Sequence, residues 1–520
     1  VLAGLEYVLA YNATANGHSC LPWEKLSAAA AQLLSISEEQ ISDMLAAFIS
    51  DEKLSLYTMA SERFVMANSV ADDEKYIAKR IAQMQTQINH INVTDIYALI
   101  ESVEAKYSIR YAQLQKEALF EAISGSLLVL TGGPGTGKTT VVKGLISIFT
   151  SLGLKCVLAA PTGRAAKRLS EATGQEAKTI HRLLEMDRGL DGRAHFNRDE
   201  RNPLSESVII VDEISMIDLA LAASLFRAIK RGARLILIGD ADQLPSVGAG
   251  NVLDDIISSE KIKTIALTQI FRQSGESLIV TNAHKINEGE SPILNDTKND
   301  FFFLNRENER DIANTVADLV LERLPKKYGD RIREGIQIIT PSKKGYGGVN
   351  VLNQVLQERI NPPLKFKKEI KHGDIIFREN DKVMQITNNY DIEWEKNSVV
   401  GMGVFNGDIG YIEKIDLERE EMKIRFDDRV ATYSFDLCDE IDLAYAITVH
   451  KSQGSEYPVV ILPMYYCPPM LMTRNLLYTA VTRAKQMVIM VGRSDVPRKM
   501  VENNREVMRY TTLAERIKSS

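Results

Sequence analysis

The sequence is poor in cysteine and has no long apolar run, and these two absences exclude several classes of protein. Its four cysteines, Cys20, Cys156, Cys438 and Cys467, lie far apart and form no Cys-x-x-Cys pair. We therefore expect no zinc site and no disulfide framework, and we predict a cytoplasmic, reducing location. The longest candidate for a membrane span, residues 459–472, is interrupted by three prolines, so no membrane partner is expected. No basic region followed by an apolar stretch opens the sequence, so no secretory signal is expected.

An excess of positive charge is also missing. The 520 residues include 63 Lys and Arg against 69 Asp and Glu, a net charge of −6 that argues against a generic polyanion binder. The charge is unevenly distributed, however, because the stretch from Lys326 to Lys371 holds 11 basic and 4 acidic residues. This stretch is either a solvated face or a local surface that faces phosphates.

The first 107 residues read as a helical N-terminal domain. Ser37 and Gln40 form a capping box ahead of an amphipathic stripe, and two β-like stretches follow at Leu54–Met59 and at residues 64–66. Helices followed by a small hairpin predict either a winged-helix-like module that contacts DNA or a docking domain.

From about residue 108 the pattern changes to short apolar strands that alternate with helices. The predicted strands are residues 127–130, 156–159, 208–211, 235–238, 337–339, 459–462 and 487–491. Continuous apolar runs of this length indicate parallel strands buried on both faces, as in doubly wound α/β domains, and the chain has room for two. Residues 186–197 read as an inserted hairpin that turns at Asp191–Gly192, and residues 345–442 as a small β-barrel insert.

The strongest chemical signal is a phosphate-binding loop between a predicted strand and a predicted helix. Residues 132–139 read Gly-Gly-Pro-Gly-Thr-Gly-Lys-Thr, which fits G-x-x-x-x-G-K-[ST]. Backbone amides of such a loop wrap phosphates, Lys138 reaches the β- and γ-phosphates, and the Thr139 hydroxyl holds Mg²⁺. The predicted nucleotide-binding residues here are Gly133, Pro134, Gly135, Thr136, Gly137, Lys138, Thr139 and Thr140.

Further carboxylates and cations complete a hydrolytic site. Asp212 and Glu213 directly follow the strand at 208–211, where Asp212 can bind Mg²⁺ and Glu213 can orient or deprotonate the attacking water. Gln243, after a third strand, is placed to sense the γ-phosphate. Arg272 and Arg483 are candidates for arginines that stabilise transition-state charge, although each alone reads equally as a surface ion-pair partner.

Several further strings appear together with these residues in a fixed order. They are residues 160–166, 179–184, 239–245, 271–273, 405–410, 448–458 and 478–485. In this order they resemble the motifs of superfamily 1 DNA helicases, in the RecD-like branch and its longer members with an extra N-terminal domain. The resemblance covers roughly residues 111–492.

The resemblance implies an α/β fold with two tandem RecA-like P-loop NTPase domains. It assigns residues 108–262 to the first motor domain, residues 263–344 and 443–520 to the second, and residues 345–442 to an SH3-like β-barrel insert. The hairpin at 186–197 resembles the family's strand-separating pin, with a tolerated surface loop as the alternative.

The same resemblance implies roles for individual residues. Gln115 matches the glutamine that recognises adenine, and Glu456 matches a residue near the ribose. The positions that match the single-stranded DNA channel are Pro161, Thr162, Gly163, His181, Thr448, His450 and Ser452. For His450 a purely structural histidine is the alternative.

The predicted function is that of an ATP- and Mg²⁺-dependent DNA helicase that moves along single-stranded DNA, 5′ to 3′ as the resemblance implies, in repair or recombination. Its expected partners are single-stranded DNA and junctions of single- with double-stranded DNA, and we expect a monomeric motor. One alternative is a translocase that does not separate strands. Another is a P-loop ATPase that acts on proteins or small molecules, such as a kinase or a remodelling ATPase.

Overall fold

The computed structural model describes residues 1–86, 95–188, 194–269, 277–294, 300–504 and 508–520. Its chain divides into two compact units. The first unit comprises Val1–Pro161, Ala165–Arg272 and Val507–Ser520, and the second comprises Thr162–Arg164 and Gln273–Glu506.

The N-terminal module combines helices with a small antiparallel sheet. Its helices are Leu2–Asn16, Trp23–Leu34 and Glu38–Ser50, and its strands are Leu21–Pro22, Leu54–Met59 and Glu62–Ala67, with the last in the middle of the sheet. Of the predicted capping box, one bond is present: the Ser37 hydroxyl accepts from the Gln40 backbone amide at 3.4 Å, and it donates to the Gln40 side-chain oxygen at 3.1 Å. Helix, strand, two helices and a hairpin follow one another, and both a winged-helix-like module and a docking domain stay predictions. Helices Asn68–Thr86 and Ile96–Tyr107 lead to the next domain.

The first α/β domain is built on a six-stranded parallel sheet. Across the sheet, the strands are Thr264–Leu267, Leu127–Gly132, Arg234–Gly239, Val208–Val211, Cys156–Ala160 and Ala177–Thr179. Its helices are Gln113–Ser124, Lys138–Ser151, Gly163–Thr173, Ile180–Leu183, Leu219–Ala228 and Val252–Ser258. The predicted boundary at residue 262 is wrong, because Thr264–Leu267 pairs in register with Leu127–Gly132 and closes one edge of this sheet.

The inserted hairpin is present in its two strands. Met186–Arg188 pairs antiparallel with Ala194–Phe196. The predicted turn at Asp191–Gly192 lies outside the described residues.

The C-terminal segment belongs to the first unit. Helix Leu513–Lys518 packs against helix Asn68–Thr86, and the Tyr510 carbonyl accepts from the Ser19 amide at 2.9 Å. The assignment of all residues 443–520 to the second motor domain is therefore wrong for residues 508–520. Apolar side chains on the C-terminal helix, Leu513 and Ile517, are buried in the core of the first unit.

The second α/β domain has a five-stranded parallel sheet. Its strands are, in order, Phe301–Asn305, Ala484–Gly492, Tyr457–Met464, Ile336–Thr340 and Ala446–Thr448. Its helices are Leu278–Asn287, Glu309–Asp318, Leu324–Tyr328, Val349–Ile360, Val449–Ser452, Arg474–Val481 and Asp495–Glu502.

The β-rich insert forms a seven-stranded antiparallel sheet with a separate hairpin. The sheet order is Val399–Val404, Asn389–Lys396, Arg429–Ser434, Glu421–Phe426, Ile409–Asp416, Lys382–Gln385 and Ile441–Leu443, and the hairpin is Glu369–His372 with Ile375–Arg378. Helix Val349–Ile360 lies within the predicted insert, residues 345–442, and buries Leu352 and Leu356 in the core of the α/β domain. The first strand after this helix is Glu369–His372.

Candidate active site

The phosphate-binding loop joins strand Leu127–Gly132 to helix Lys138–Ser151. Gly135 and Gly137 have φ angles of 77° and 86°, in the left-handed region that glycine adopts at little cost. These two glycines allow the loop to turn so that the helix starts at Lys138.

Lys138 is held against the loop by backbone carbonyls. Its Nζ donates to the carbonyl oxygens of Gly132 and Gly133, the latter at 3.0 Å. The Thr136 hydroxyl donates to the same Gly133 oxygen at 2.9 Å. Thr139 is exposed in the first turn of the helix. The ammonium and the hydroxyl predicted to meet phosphate and Mg²⁺ thus lie at the mouth of one loop.

Gln115 forms a hydrogen bond with the phosphate-binding loop. The side chain is 4% exposed, and its Nε2 donates to the Thr136 carbonyl at 3.3 Å. Its Oε1 accepts from the Ala112 amide at 3.1 Å. Both ends of the amide are engaged, so the structure links Gln115 to the phosphate loop, and adenine recognition stays a prediction.

Asp212 stands at the carboxyl end of strand Val208–Val211. Its backbone amide donates to the Ala159 carbonyl at 2.9 Å, which extends the parallel pairing by one residue. Burial and the neighbouring Glu213 raise the pKa of Asp212, while the charges of Arg168 and Lys138 oppose that rise. The predicted metal ligand therefore lies within electrostatic range of the phosphate-loop lysine.

Glu213 has an unusual backbone conformation. Its φ of 55° places it in the left-handed region, which costs a residue with a Cβ on the order of 1–3 kcal/mol. The side chain is buried, and Arg168 Nη2 lies 2.5 Å from its Oε1 and 3.6 Å from Asp212 Oδ2. Strained, buried and ion-paired residues cluster at functional sites. Sequence reasoning missed Arg168, whose only signal is its place two positions after the string at residues 160–166.

Gln243 follows the strand next to that of Glu213. Its Nε2 donates to Asp240 Oδ2 at 2.9 Å. The side chain is 8% exposed, and in the described part of the chain its buried Oε1 has no hydrogen-bond partner. A buried acceptor left unpaired is costly, and such a group is suited to accept from a water or ligand. This arrangement supports the prediction that Gln243 senses the nucleotide.

The C-terminal segment supports the loop that follows Gln243. Arg509 Nη1 donates to the carbonyls of Gly248 and Gly250 at 3.0 and 2.6 Å and to the Ser246 hydroxyl at 3.3 Å. Sequence reasoning missed this residue, since nothing local connects it with a loop some 260 positions earlier.

Of the two candidate arginines, the structure describes Arg483 alone. Arg272 lies outside the described residues. Arg483 is 2% exposed and donates to the Thr479 carbonyl at 3.1 Å, the Ser455 carbonyl at 3.3 Å and the Thr482 hydroxyl at 3.2 Å. Its guanidinium is thus fixed within the second unit.

Glu456, the candidate for a ribose contact, also belongs to the second unit. It is ion-paired with Lys485 at 3.3 Å. The ribose contact stays a prediction.

The DNA-contact candidates of the first α/β domain lie at its strand ends. Pro161, Thr162 and Gly163 follow strand Cys156–Ala160, and Gly163 opens the next helix. The His181 ring lies 5.8 Å from the Phe196 ring of the inserted hairpin, and burial lowers the pKa of His181. His181 therefore connects its motif to the base of the hairpin.

In the second α/β domain, one DNA-contact candidate requires correction. Thr448 caps a short helix by accepting from the Lys451 amide at 3.3 Å, and His450 is exposed. Ser452, however, is fully buried, and its hydroxyl donates to the Val449 carbonyl at 2.6 Å. Ser452 stabilises this turn and does not line a surface that DNA could reach.

The donor set suits a nucleotide-bound magnesium ion. Among the described residues, no group of three or more His, Cys, Asp or Glu could hold a metal ion without help. Mg²⁺ usually binds through one or two protein oxygens together with substrate phosphates, and Thr139 and Asp212 supply such oxygens.

In the described residues, no helix is long and apolar enough to cross a membrane.

Three parts of the chain match known protein families. Residues 115–249 match the AAA domain, residues 352–426 match the ATP-dependent RecD-like DNA helicase SH3 domain, and residues 443–491 match the UvrD-like helicase C-terminal domain.

Three relatives are similar to this chain over most of its length. The ATP-dependent RecD2 DNA helicase of Deinococcus radiodurans is 35% identical over 405 residues, which are 78% of this chain and 52% of that protein. The RecBCD enzyme subunit RecD of Mycolicibacterium smegmatis is 30% identical over 78% of this chain and 74% of that protein. The RecBCD enzyme subunit RecD of Mycobacterium tuberculosis is 32% identical over 73% of this chain and 68% of that protein. The chain spans about half the length of the Deinococcus relative.

Proposed function

Since this chain belongs to the RecD-like family of superfamily 1 DNA helicases, we propose that it is an ATP-driven motor that moves along single-stranded DNA and separates duplex strands. The observation that supports this most directly is the meeting of Lys138, Asp212, Glu213 and Gln243. They lie at the carboxyl ends of three adjacent strands of one parallel sheet. Ligands of open α/β sheets bind at this edge.

The proposed chemistry is in-line attack of water on the γ-phosphate of ATP. Lys138 stabilises charge on the phosphates, and Glu213 orients the water and accepts its proton. Gln243 Oε1, which is unpaired in the described part of the chain, is suited to accept from that water. Mg²⁺, held by Thr139 and Asp212, would neutralise charge on the β- and γ-phosphates. Arg272 and Arg483 are the proposed cations from outside this sheet.

The proposed track is a single strand of DNA. Pro161, Thr162, Gly163, His181, Thr448 and His450 are its proposed contacts. Short polar side chains and backbone amides of this kind position phosphates without reading base sequence. We further propose 5′-to-3′ movement, action at junctions of single- with double-stranded DNA, a monomeric motor, and a role in repair or recombination in the cytoplasm.

A direct test measures ATP hydrolysis with and without single-stranded DNA, and unwinding of duplexes that carry either a 5′ or a 3′ tail. We expect stimulation by single-stranded DNA and unwinding of the 5′-tailed substrate alone. Unwinding of only the 3′-tailed duplex would reverse the polarity. Stimulated hydrolysis with neither duplex unwound would identify a translocase that does not separate strands. Hydrolysis indifferent to DNA would refute the proposal.

A further inference from the structure

Arg168 connects the hydrolytic carboxylates to a segment that we propose to contact DNA. Helix Gly163–Thr173 begins directly after Pro161 and Thr162, two of the proposed DNA contacts. Arg168 lies five residues into this helix, rather more than one turn from its start. One short helix therefore carries a proposed DNA contact at its start and a cation at the catalytic carboxylates near its middle.

The contact between Arg168 and Glu213 is close and shielded from water. Arg168 Nη2 lies 2.5 Å from Glu213 Oε1, and the two side chains are 25% and 8% exposed. The same nitrogen is 3.6 Å from Asp212 Oδ2. A partly buried pair with this geometry is stronger than a surface ion pair, because solvent screens it less. One oxygen of the carboxylate is thereby directed at helix Gly163–Thr173.

The helix is built to transmit a displacement to this pair. Its buried face consists of Ala165, Ala166 and Leu169, which are 0%, 4% and 2% exposed. Two of these three side chains are single methyl groups, so the helix backbone packs closely on its neighbours. A shift of the segment at Pro161–Gly163 would therefore carry Arg168 with it, since a short helix moves as a rigid piece.

We infer that Arg168 is a positioning residue that makes hydrolysis depend on DNA. In this inference, which rests on the proposed function, the Arg168 pair directs the Glu213 carboxylate towards the helix and away from the attacking water. DNA at Pro161–Gly163 moves the helix, loosens the pair and releases the carboxylate for catalysis.

The test compares Arg168→Gln with the unchanged protein and with Lys155→Gln. The control removes one positive charge from an exposed position in the same domain. The turnover rate of ATP is measured without DNA and at saturating single-stranded DNA. We expect Arg168→Gln to raise the rate without DNA about tenfold. The ratio of the rate with DNA to the rate without DNA should fall by the same factor, which lies within the usual range of coupling between sites. Lys155→Gln should keep the original ratio.

Two further variants make the result specific. Adding Glu213→Gln to Arg168→Gln should abolish the raised rate, because the release acts through Glu213. Arg168→Lys keeps the positive charge but not the planar guanidinium, so its ratio of rates should lie between those of the unchanged protein and Arg168→Gln. If Arg168→Gln does not fold, Arg168→Lys takes its place in the test. A ratio equal to that of the unchanged protein, whether both rates stay or fall together, would overturn the inference. Absence of stimulation in the unchanged protein would instead refute the proposed function.

Discussion

Glu213 adopts a backbone conformation and a buried position that a glutamate does not normally favour. Its backbone is left-handed although it has a Cβ, and its carboxylate is buried beside Asp212 with Arg168 as counter-charge. Buried carboxylates without such a partner would take up protons or destabilise the fold. The surrounding sheet and helix therefore maintain an arrangement that the residue alone would not adopt.

At the residue scale, Lys138→Ala should abolish ATP hydrolysis and unwinding while the protein stays folded. The lost ammonium stabilises charge on the transferring phosphoryl group, whereas among the described residues its hydrogen-bond partners are two loop carbonyls. Steady-state hydrolysis and a thermal melt check both statements. Lys143→Ala, at an exposed position on the same helix, is the matched control and should keep its activity. Turnover of Lys138→Ala near the rate of the unchanged protein would refute the site.

Arg483→Ala should still bind ATP but lose hydrolysis by roughly 10³-fold or more, since such an arginine acts on transition-state charge. Because Arg483 donates to two carbonyls and a hydroxyl, this variant should also unfold at a lower temperature. Nucleotide affinity, the bound-state rate and a thermal melt are the three measurements. If affinity collapses while the bound-state rate survives, Arg483 serves docking and not catalysis.

At the element scale, the inserted hairpin is the feature most easily separated from the motor. Phe196 packs against the main core of the first unit, and Arg198 pairs with Glu185 at 2.7 Å, so the base of the hairpin is anchored. An isolated two-stranded ribbon is marginal in water, and its insertion between two strands of a motor domain is consistent with a mechanical role.

Replacement of residues 188–194 by a short Gly-Ser linker should spare DNA-stimulated ATP hydrolysis and greatly reduce duplex unwinding. The change leaves the anchored base and the nucleotide residues intact. Hydrolysis and unwinding are measured on the same preparation, with Phe196→Ala as a variant that weakens the base alone. Equal loss of both activities in the linker variant would show that the hairpin supports the fold, and loss of neither would make it a bystander.

At the scale of the whole molecule, the two ends of the chain meet in the first unit. Glu74 is fully buried, accepts from the Ser19 hydroxyl at 2.7 Å and pairs with Arg516 at 3.1 Å. The N-terminal module, the C-terminal helix and the helix between them are thus joined by one buried polar network. Removing one partner of such a network leaves the others unsatisfied.

Affinity for single-stranded DNA should fall steeply with salt although the chain carries a net charge of −6. Lys343, Lys344, Lys365 and Lys368 are exposed in the second unit and offer cations that release counterions on binding. Each neutralised phosphate contributes about 0.7 to the slope of log affinity against log salt. Titrations at several salt concentrations measure this slope. A nearly flat dependence would argue against a channel that follows the backbone.

The sequence by itself determined the parts of the protein that depend on local pattern. All seven predicted α/β strands are present, because apolar runs bounded by turn residues identify buried parallel strands. The phosphate loop and the positions of Asp212 and Glu213 at a strand end were equally readable, since their chemistry follows from spacing along one strand–loop–helix unit.

Only the tertiary structure decided which distant segments meet. The edge strand Thr264–Leu267, the return of residues 508–520 to the first unit, the burial of Ser452 and the pairing of Arg168 with Glu213 all depend on long-range contacts. Such contacts produce no periodic pattern in the sequence, because the type of a residue does not show whether its partner lies 4 or 45 positions away. Their free energy comes from packing and charge pairing in the assembled core, which no short window of sequence contains.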